Sequence, residues 1–522
     1  MYKSFFRQGT LLSLLFLLAS AETCSQEVRA SASLGIFESH SDIGTVMHAG
    51  SVSYDHRTDA YTVSGSGENM WFASDDFQFV WKKASGDISL AAEIALVGHA
   101  GMPHRKAMLM IRQSLDPSSP YVDIAEHGVG KTSLQFRDAP GAITHTIASF
   151  TYVPHRIELR KRGDFYYFFI SGKDGKLRPA GASTHLRLSE PFYVGLGVCA
   201  HDKDVVEKAV FSHVKLTMSP ARAQSHGTLY STLETIVVGS GDRQVEYVAP
   251  GRFAAPNWSR DGLFIVFNGD GGLFRIPVKC GAEDTGCAAE TEPVRVMTDF
   301  ANHINNNHGI SPNGQLLAIT DQVQGNHASS IYLLPIVGGF PRKVATAGQF
   351  YWHGWSADGK TIAVTGERNG KMEVYTIRVA GGEQTQLTES ADQNDGPEYS
   401  PDGKYIYFSS DRTGSMQIWR TRVDGSEQEQ VVSDSYNDWF PHISPDGRWI
   451  VYLSYEKDVE GHPEASDVTL HLMSLRDKNV RPLATLLGGE GTIDAPSWSP
   501  DSSKIAFFSY GFISIDSTKE SR

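Results

Sequence analysis

Between about residues 226 and 510, apolar residues fall into short runs, each closed by a polar turn, and the order of runs and turns recurs. The phrases "NWSRDGLFIVF", "GISPNGQLLAI", "GWSADGKTIAV", "EYSPDGKYIYF", "HISPDGRWIVY" and "SWSPDSSKIAFF" are copies of one unit. Their serines stand at 259, 311, 356, 400, 444 and 499, with separations of 52, 45, 44, 44 and 55 residues. Asp and Gly in the S-P-D-G phrase suit a tight turn, because Asp bonds the backbone ahead and Gly tolerates positive φ. A β-prone run such as "KYIYFSS" follows, then a turn such as "DRTG" or "ERNG", a third run such as "MQIWRTRV", and a short fourth such as "EQVVS". Each unit therefore predicts four antiparallel strands joined by turns.

A period of roughly 45 residues is the length of a four-stranded propeller blade. The six copies predict a six-bladed β-propeller over 229–515. The last copy breaks off after "IAFFSYGFISI", and "LETIVVGSGDRQVEYV" at 233–248 resembles the missing half, "IWRTRVDGSEQEQVV". The expectation is a ring closed by both ends of the repeat region in one blade, which hides edge strands. These phrases resemble the WD40-like (PD40) propeller repeat of the TolB family.

Residues 32–218 lack the period and show alternating β segments such as "FQFVWKK", "AMLMIRQS", "TSLQFRD" and "FYVGLGVCAH", which suit a two-sheet sandwich. The stretch "GENMWFASDDFQFVWKKASGDISLAAEI" with "RKAMLMIRQSLDPSSPYV" resembles concanavalin-like (DUF1349-like) sandwich domains, which are often attached to carbohydrate-active proteins. The fold class expected is all-β, a concanavalin-like β-sandwich followed by the propeller. The polar segment 219–228 reads as a linker, so the two parts are expected to fold independently. Trp71, Phe72, Tyr121 and Tyr166 are either sugar-stacking rings or core.

Charge and processing signals narrow the classes. The chain carries 47 basic and 60 acidic side chains, net −13, which argues against a general nucleic-acid binder. Lys3 and Arg7 precede the apolar run Leu11 to Leu18, and Ala19-Ser20-Ala21 suits a signal peptidase, so 1–21 reads as a signal peptide. Periplasmic or extracellular localisation follows, with Cys24 in a poor context for lipidation. No other run approaches the roughly 18 apolar residues of a transmembrane helix. Export makes Cys280 and Cys287, in "CGAEDTGC", a local disulfide, and leaves Cys199 as a buried thiol.

Aligned on Ser, the inner-strand segments of the middle four units carry His308, His353, Glu398 and His442, flanked by Asn306, Asn307, Asp395, Asp438 and Asp494. The first and last units carry Asn257 or Ser497 there, each after a proline. Imidazoles and carboxylates at one channel mouth suit ligand binding, acid–base work, or a divalent metal on His308, His353, His442 and Glu398. On a regular strand, however, His308 and His353 face away from Glu398 and His442, because they stand one position further from Ser. His104, His303, His327 and His462 read as surface-loop residues. No G-x-S-x-G elbow, H-E-x-x-H helix or C-x-x-C pair occurs. Two functions remain open. One is a binding protein for a glycan or an envelope protein, the role the TolB resemblance implies. The other is a metal-dependent saccharide lyase or glycoside hydrolase at the channel mouth.

Overall fold

The computed structural model describes residues 33–98, 101–152, 154–172, 174–219, 227–278, 292–322, 329–344, 348–389 and 393–513. Cys24, Cys280, Cys287, His327, the leader 1–21 and most of 219–228 lie outside the described residues. From Leu34 onward the chain forms one compact unit, and its named elements are all strands. No described helix is long and apolar enough to cross a membrane, which leaves strand-built spans unaddressed.

Five four-stranded antiparallel sheets follow one another between Phe253 and Gly489. Their inner strands are Phe253–Trp258, Ile304–Ile310, Gln349–Trp355, Asn394–Tyr399 and Asn437–Ile443. The Ser-x-Asp-Gly turn after them is held by its own side chains. Ser444 Oγ donates to Asp446 Oδ1 (2.6 Å) and accepts from the Trp449 amide (2.9 Å); Ser400 does the same with Asp402 and Tyr405. The turn glycine supplies a left-handed backbone, as at Gly447 with φ 71°. Apolar residues of the strands then pack between neighbouring sheets, as Ile443, Ile450 and Tyr452 do with Tyr407 and Ile418.

The six separate blades expected from the repeat resolve into five such sheets among the described residues. The remaining repeat strands belong to a ten-stranded sheet. There Lys504–Ile513 pairs antiparallel with Thr228–Val237, which pairs with Arg243–Pro250, so the two ends of the repeat region meet. At the inner side, the last repeat makes only the bridge Trp498↔Ile505 rather than a full strand. At the outer side, Arg243 and Gln244 pair in parallel with Ile147 and Ala148 of His145–Tyr152, so the sheet runs on into the N-terminal part.

That N-terminal part has two layers. The rest of the ten-stranded sheet faces a seven-stranded one, and alternate residues of both, among them Leu109, Ile111, Val122, Leu159, Phe168 and Leu196, fill one core. Independent folding of the two parts is not what the packing supports. Phe165, Tyr167 and Phe169 share a core with Leu233, Trp258, Phe267, Phe508 and Tyr510 of the repeat region. The physical reason is apolar surface on both sides of the seam, which is removed from water only while the two parts stay together.

Candidate functional site

The inner strands are not regular. Each contains a register shift, between Ala254 and Asn257, Ile304 and His308, Trp352 and Gly354, Asp395 and Glu398, and Trp439 and His442. Such bulges re-aim side chains, yet the candidates still divide as counting back from Ser predicts, with Glu398 against His442 and His353 away from both beside Asp395.

Glu398 and His442 come together. His442 Nδ1 meets Glu398 Oε2, and its Nε2 donates to the Ile493 carbonyl. A carbonyl only accepts, so Nε2 carries its hydrogen. The His442 carbonyl in turn accepts from Trp498 Nε1 at 2.9 Å. The imidazole is buried and occupied on both nitrogens. It ties the fourth and fifth sheets to the closing segment and leaves no ring nitrogen for a ligand.

A second group forms around Asp395, at the start of its strand. Asp395 Oδ1 accepts from the Thr365 hydroxyl (2.7 Å) and the Gly396 amide (2.8 Å). His353 Nε2 stands 3.3 Å from the same oxygen without hydrogen-bond alignment. His462 Nε2 lies 3.9 Å from Asp395 Oδ2, and its Nδ1 lies 3.6 Å from Glu490 Oε2. Burial by itself would raise the Asp395 carboxyl, but His353, His462 and Thr365 outweigh it and hold the group well below the usual carboxylate range. Asn306 Nδ2 donates to Glu490 Oε1 (3.2 Å), and Arg252 Nη2 to the Glu490 carbonyl (3.1 Å). Arg252 also pairs with Glu464. Side-chain exposure rises outward, from 11% at Asp395 to 25% at His462 and 38% at Glu490, so this group opens to solvent. Asp494 is buried beside it and accepts from the Gly491 amide at 3.0 Å. Burial, then the charge of Glu490, pushes its carboxyl well above the ordinary value.

The other candidates stay apart. His308 is fully buried with neither nitrogen hydrogen-bonded, and burial lowers it to about 3. Asp438 faces into its own sheet, where Ser454 Oγ donates to it at 2.6 Å; burial raises it to about 8. His308, His353, His442 and Glu398 therefore do not make one ligand set. Among the described residues no group of three or more His, Cys, Asp or Glu side chains is arranged to hold a metal ion. His104 and His303 are exposed, whereas His462, expected on a surface loop, is part-buried against Trp439 and Phe440. His462 and Glu490 are the site residues that sequence reading missed. Neither stands at a repeat position, so no periodic signal could mark them. Of the aromatic candidates, Tyr121 and Tyr166 are core, Trp71 is part-buried and Phe72 is exposed.

Comparison with known proteins finds likenesses that include a family, a relative and a solved structure. Residues 309–511 match the PD40 family, the TolB beta propeller domain. The uncharacterized protein Atu1656 of Agrobacterium fabrum is 43% identical over 298 residues, covering 57% of this chain and 97% of that protein. A solved structure described as a TolB from Agrobacterium tumefaciens is 43% identical with a TM-score of 0.52, covering 55% of this chain and all (100%) of that one.

Proposed function

The chain belongs to the TolB β-propeller family, and from that premise we propose that it is an exported binding protein that takes a glycan or an envelope protein at one mouth of its propeller channel. In this reading the paired strands of 228–250 and 504–513 close the propeller ring, and the N-terminal layers are a concanavalin-like accessory domain. The observation that carries it is the solvent-open group of Asp395, His353, His462 and Glu490, with Asn306 and Arg252 beside it. These side chains offer both donors and acceptors, which suits hydroxyl, amide or charged groups of a partner. Glu398 and His442 support the strands that present this group. The metal-dependent lyase or hydrolase reading has no observation of its own, because the four proposed ligands are divided among different surroundings.

The test is capture from a solubilised envelope extract and binding to a glycan array, using the full chain and its Asp395→Asn and Glu490→Gln variants. Loss of a captured partner in both variants is the expected result, with Tm retained in Glu490→Gln and the fold retained, at a lower Tm, in Asp395→Asn, whose buried charge is held by His353, His462 and Thr365. Equal capture by wild type and variants would move the site elsewhere. Cell fractionation with N-terminal sequencing checks export: cleavage after Ala21 and recovery outside the cytoplasm are expected.

A further inference from the structure

The connection that follows the outermost strand of the first four-stranded sheet, Val294–Val296, meets the turn before the outermost strand of the second, Arg342–Lys343. The Gly339 amide donates to the Met297 carbonyl at 2.8 Å. The Phe300 ring lies 5.3 Å from that of Phe340 and 5.5 Å from that of Tyr332, edge-on to both. Gly338 has a φ of 96°, and a Cβ there would stand 2.6 Å from the Met297 carbonyl oxygen, so the close approach of the two segments needs glycine. Around this contact Met297, Phe300, Val337 and Phe340 are 70%, 45%, 74% and 72% exposed. Four large apolar side chains on two touching segments form a contiguous patch, and such a patch marks an interaction surface.

The charges beside the patch are mostly of one sign. Between Phe300 and Val344 the only Asp, Glu, Lys or Arg residues are Asp321, Arg342 and Lys343. Asp321 is buried and accepts from the His303 amide at 2.9 Å. Arg342 and Lys343, exposed and directly after Phe340-Pro341, are thus the formal charges that the second sheet shows to solvent. On the first sheet Arg295 stands two residues before Met297, and Arg275 lies on the neighbouring strand opposite Val294; both are exposed. None of these four cations makes an ion pair among the described residues. Glu292 and Asp299 are the exposed acids nearby, so four basic side chains face two acidic ones. In a chain of net −13 this is a local reversal of sign. The acidic surface elsewhere acts weakly here, because salt screens exposed charges beyond about 8 Å at physiological ionic strength.

We propose that this patch seats the protein on an anionic lipid bilayer. Met297, Phe300, Val337 and Phe340 enter the boundary between headgroups and acyl chains, a depth of about 5–10 Å. Arg295, Arg342 and Lys343 face the lipid phosphates, whose charge they match. A bilayer suits the patch better than a folded partner does. Its apolar side chains stand on a connection and a turn and stay mostly exposed even where they touch each other, so they are presented outward to a surface that deforms around them. The inference goes beyond the channel reading and does not depend on it.

The experiment is co-sedimentation of the full chain with vesicles of phosphatidylethanolamine and phosphatidylglycerol, against vesicles of phosphatidylcholine alone. Binding to the first, weakened by added salt, and little binding to the second is the expected result. Val337→Ser paired with Phe340→Ser, and Arg342→Glu paired with Lys343→Glu, should each lower the partition coefficient by about tenfold or more. Tm should stay close to the wild-type value in both, because all four side chains are exposed; if one pair fails to fold, the other carries the test. Phe72→Ser removes a ring 62% exposed in the N-terminal layers and should leave the partition unchanged. No binding to either vesicle, equal binding to both, or binding unaffected in a folded paired variant overturns the proposal, as does an equal loss in Phe72→Ser. Capture of an acidic protein through the patch, or self-association through it in sedimentation velocity, without vesicle binding, gives the patch another occupant and also overturns the proposal.

Discussion

His442 shows how far a side chain's role depends on its partners. Its place in the repeat suggests a ligand-facing imidazole, yet it bonds Glu398 on one side and the Ile493 carbonyl on the other. His442→Ala should destabilise the chain by about 3 kcal/mol, because it leaves a largely buried carboxylate and a carbonyl without their partner. Chemical denaturation measures this, and a change under about 0.5 kcal/mol, the scale of an ordinary surface substitution, would contradict it. Two buried groups predict opposite pH effects. His308 titrates at about 3 when folded and 6.5 in the reference state, so the unfolded chain binds the extra proton. Its contribution is present above pH 6.5 and is lost as pH falls from there through 3. Asp438 is raised from 3.8 to about 8, so the folded chain holds the proton. That contribution is present below pH 3.8 and is lost as pH rises from there through 8. Tm measured against pH should therefore fall less on acidification in His308→Leu than in wild type, and less on alkalinisation in Asp438→Asn.

At the level of elements, the Ser-x-Asp-Gly turn was legible because its chemistry is local. Ser, Asp and Gly bond within a few residues of one another, and no distant partner is needed. Gly447→Ala tests this cleanly, since a Cβ there meets nothing within 4 Å and only the φ of 71° is at stake. The expected loss is about 1 kcal/mol, the scale for an L-residue in the left-handed region, read from denaturant midpoints at constant m. The bulge in each inner strand was not legible. Counting back from Ser sets His353 with Asp395 and Glu398 with His442, and the structure keeps both pairs, but the shifts between Trp352 and Gly354, Asp395 and Glu398, and Trp439 and His442 leave no mark in that pattern. A bulge is one unpaired residue against a partner strand, and a single strand's pattern carries no record of it.

Across the whole molecule the seam between the N-terminal layers and the repeat region is a shared core. A chain shortened to 226–522 would expose the faces of Leu233, Phe508 and Tyr510 that pack with Phe165, Tyr167 and Phe169. It should show a lower Tm than the full chain and bind a hydrophobic dye, whereas the full chain should melt in one calorimetric transition across the seam. Two separate transitions, with the later one matching the shortened chain, would contradict the shared core. The strand-and-turn repeat, its period and the meeting of its two ends are written in the linear chain, because they follow from local turn chemistry and from apolar residues recurring at fixed spacing. Folding in three dimensions was needed to carry the closing strands into the N-terminal sheet, to saturate His442 while Asp395 gathers His353 and His462, and to set Met297 and Phe300 beside Gly339 and Phe340. Those outcomes depend on which distant backbone or side chain arrives beside a residue, and burial and pairing are properties of that arrival.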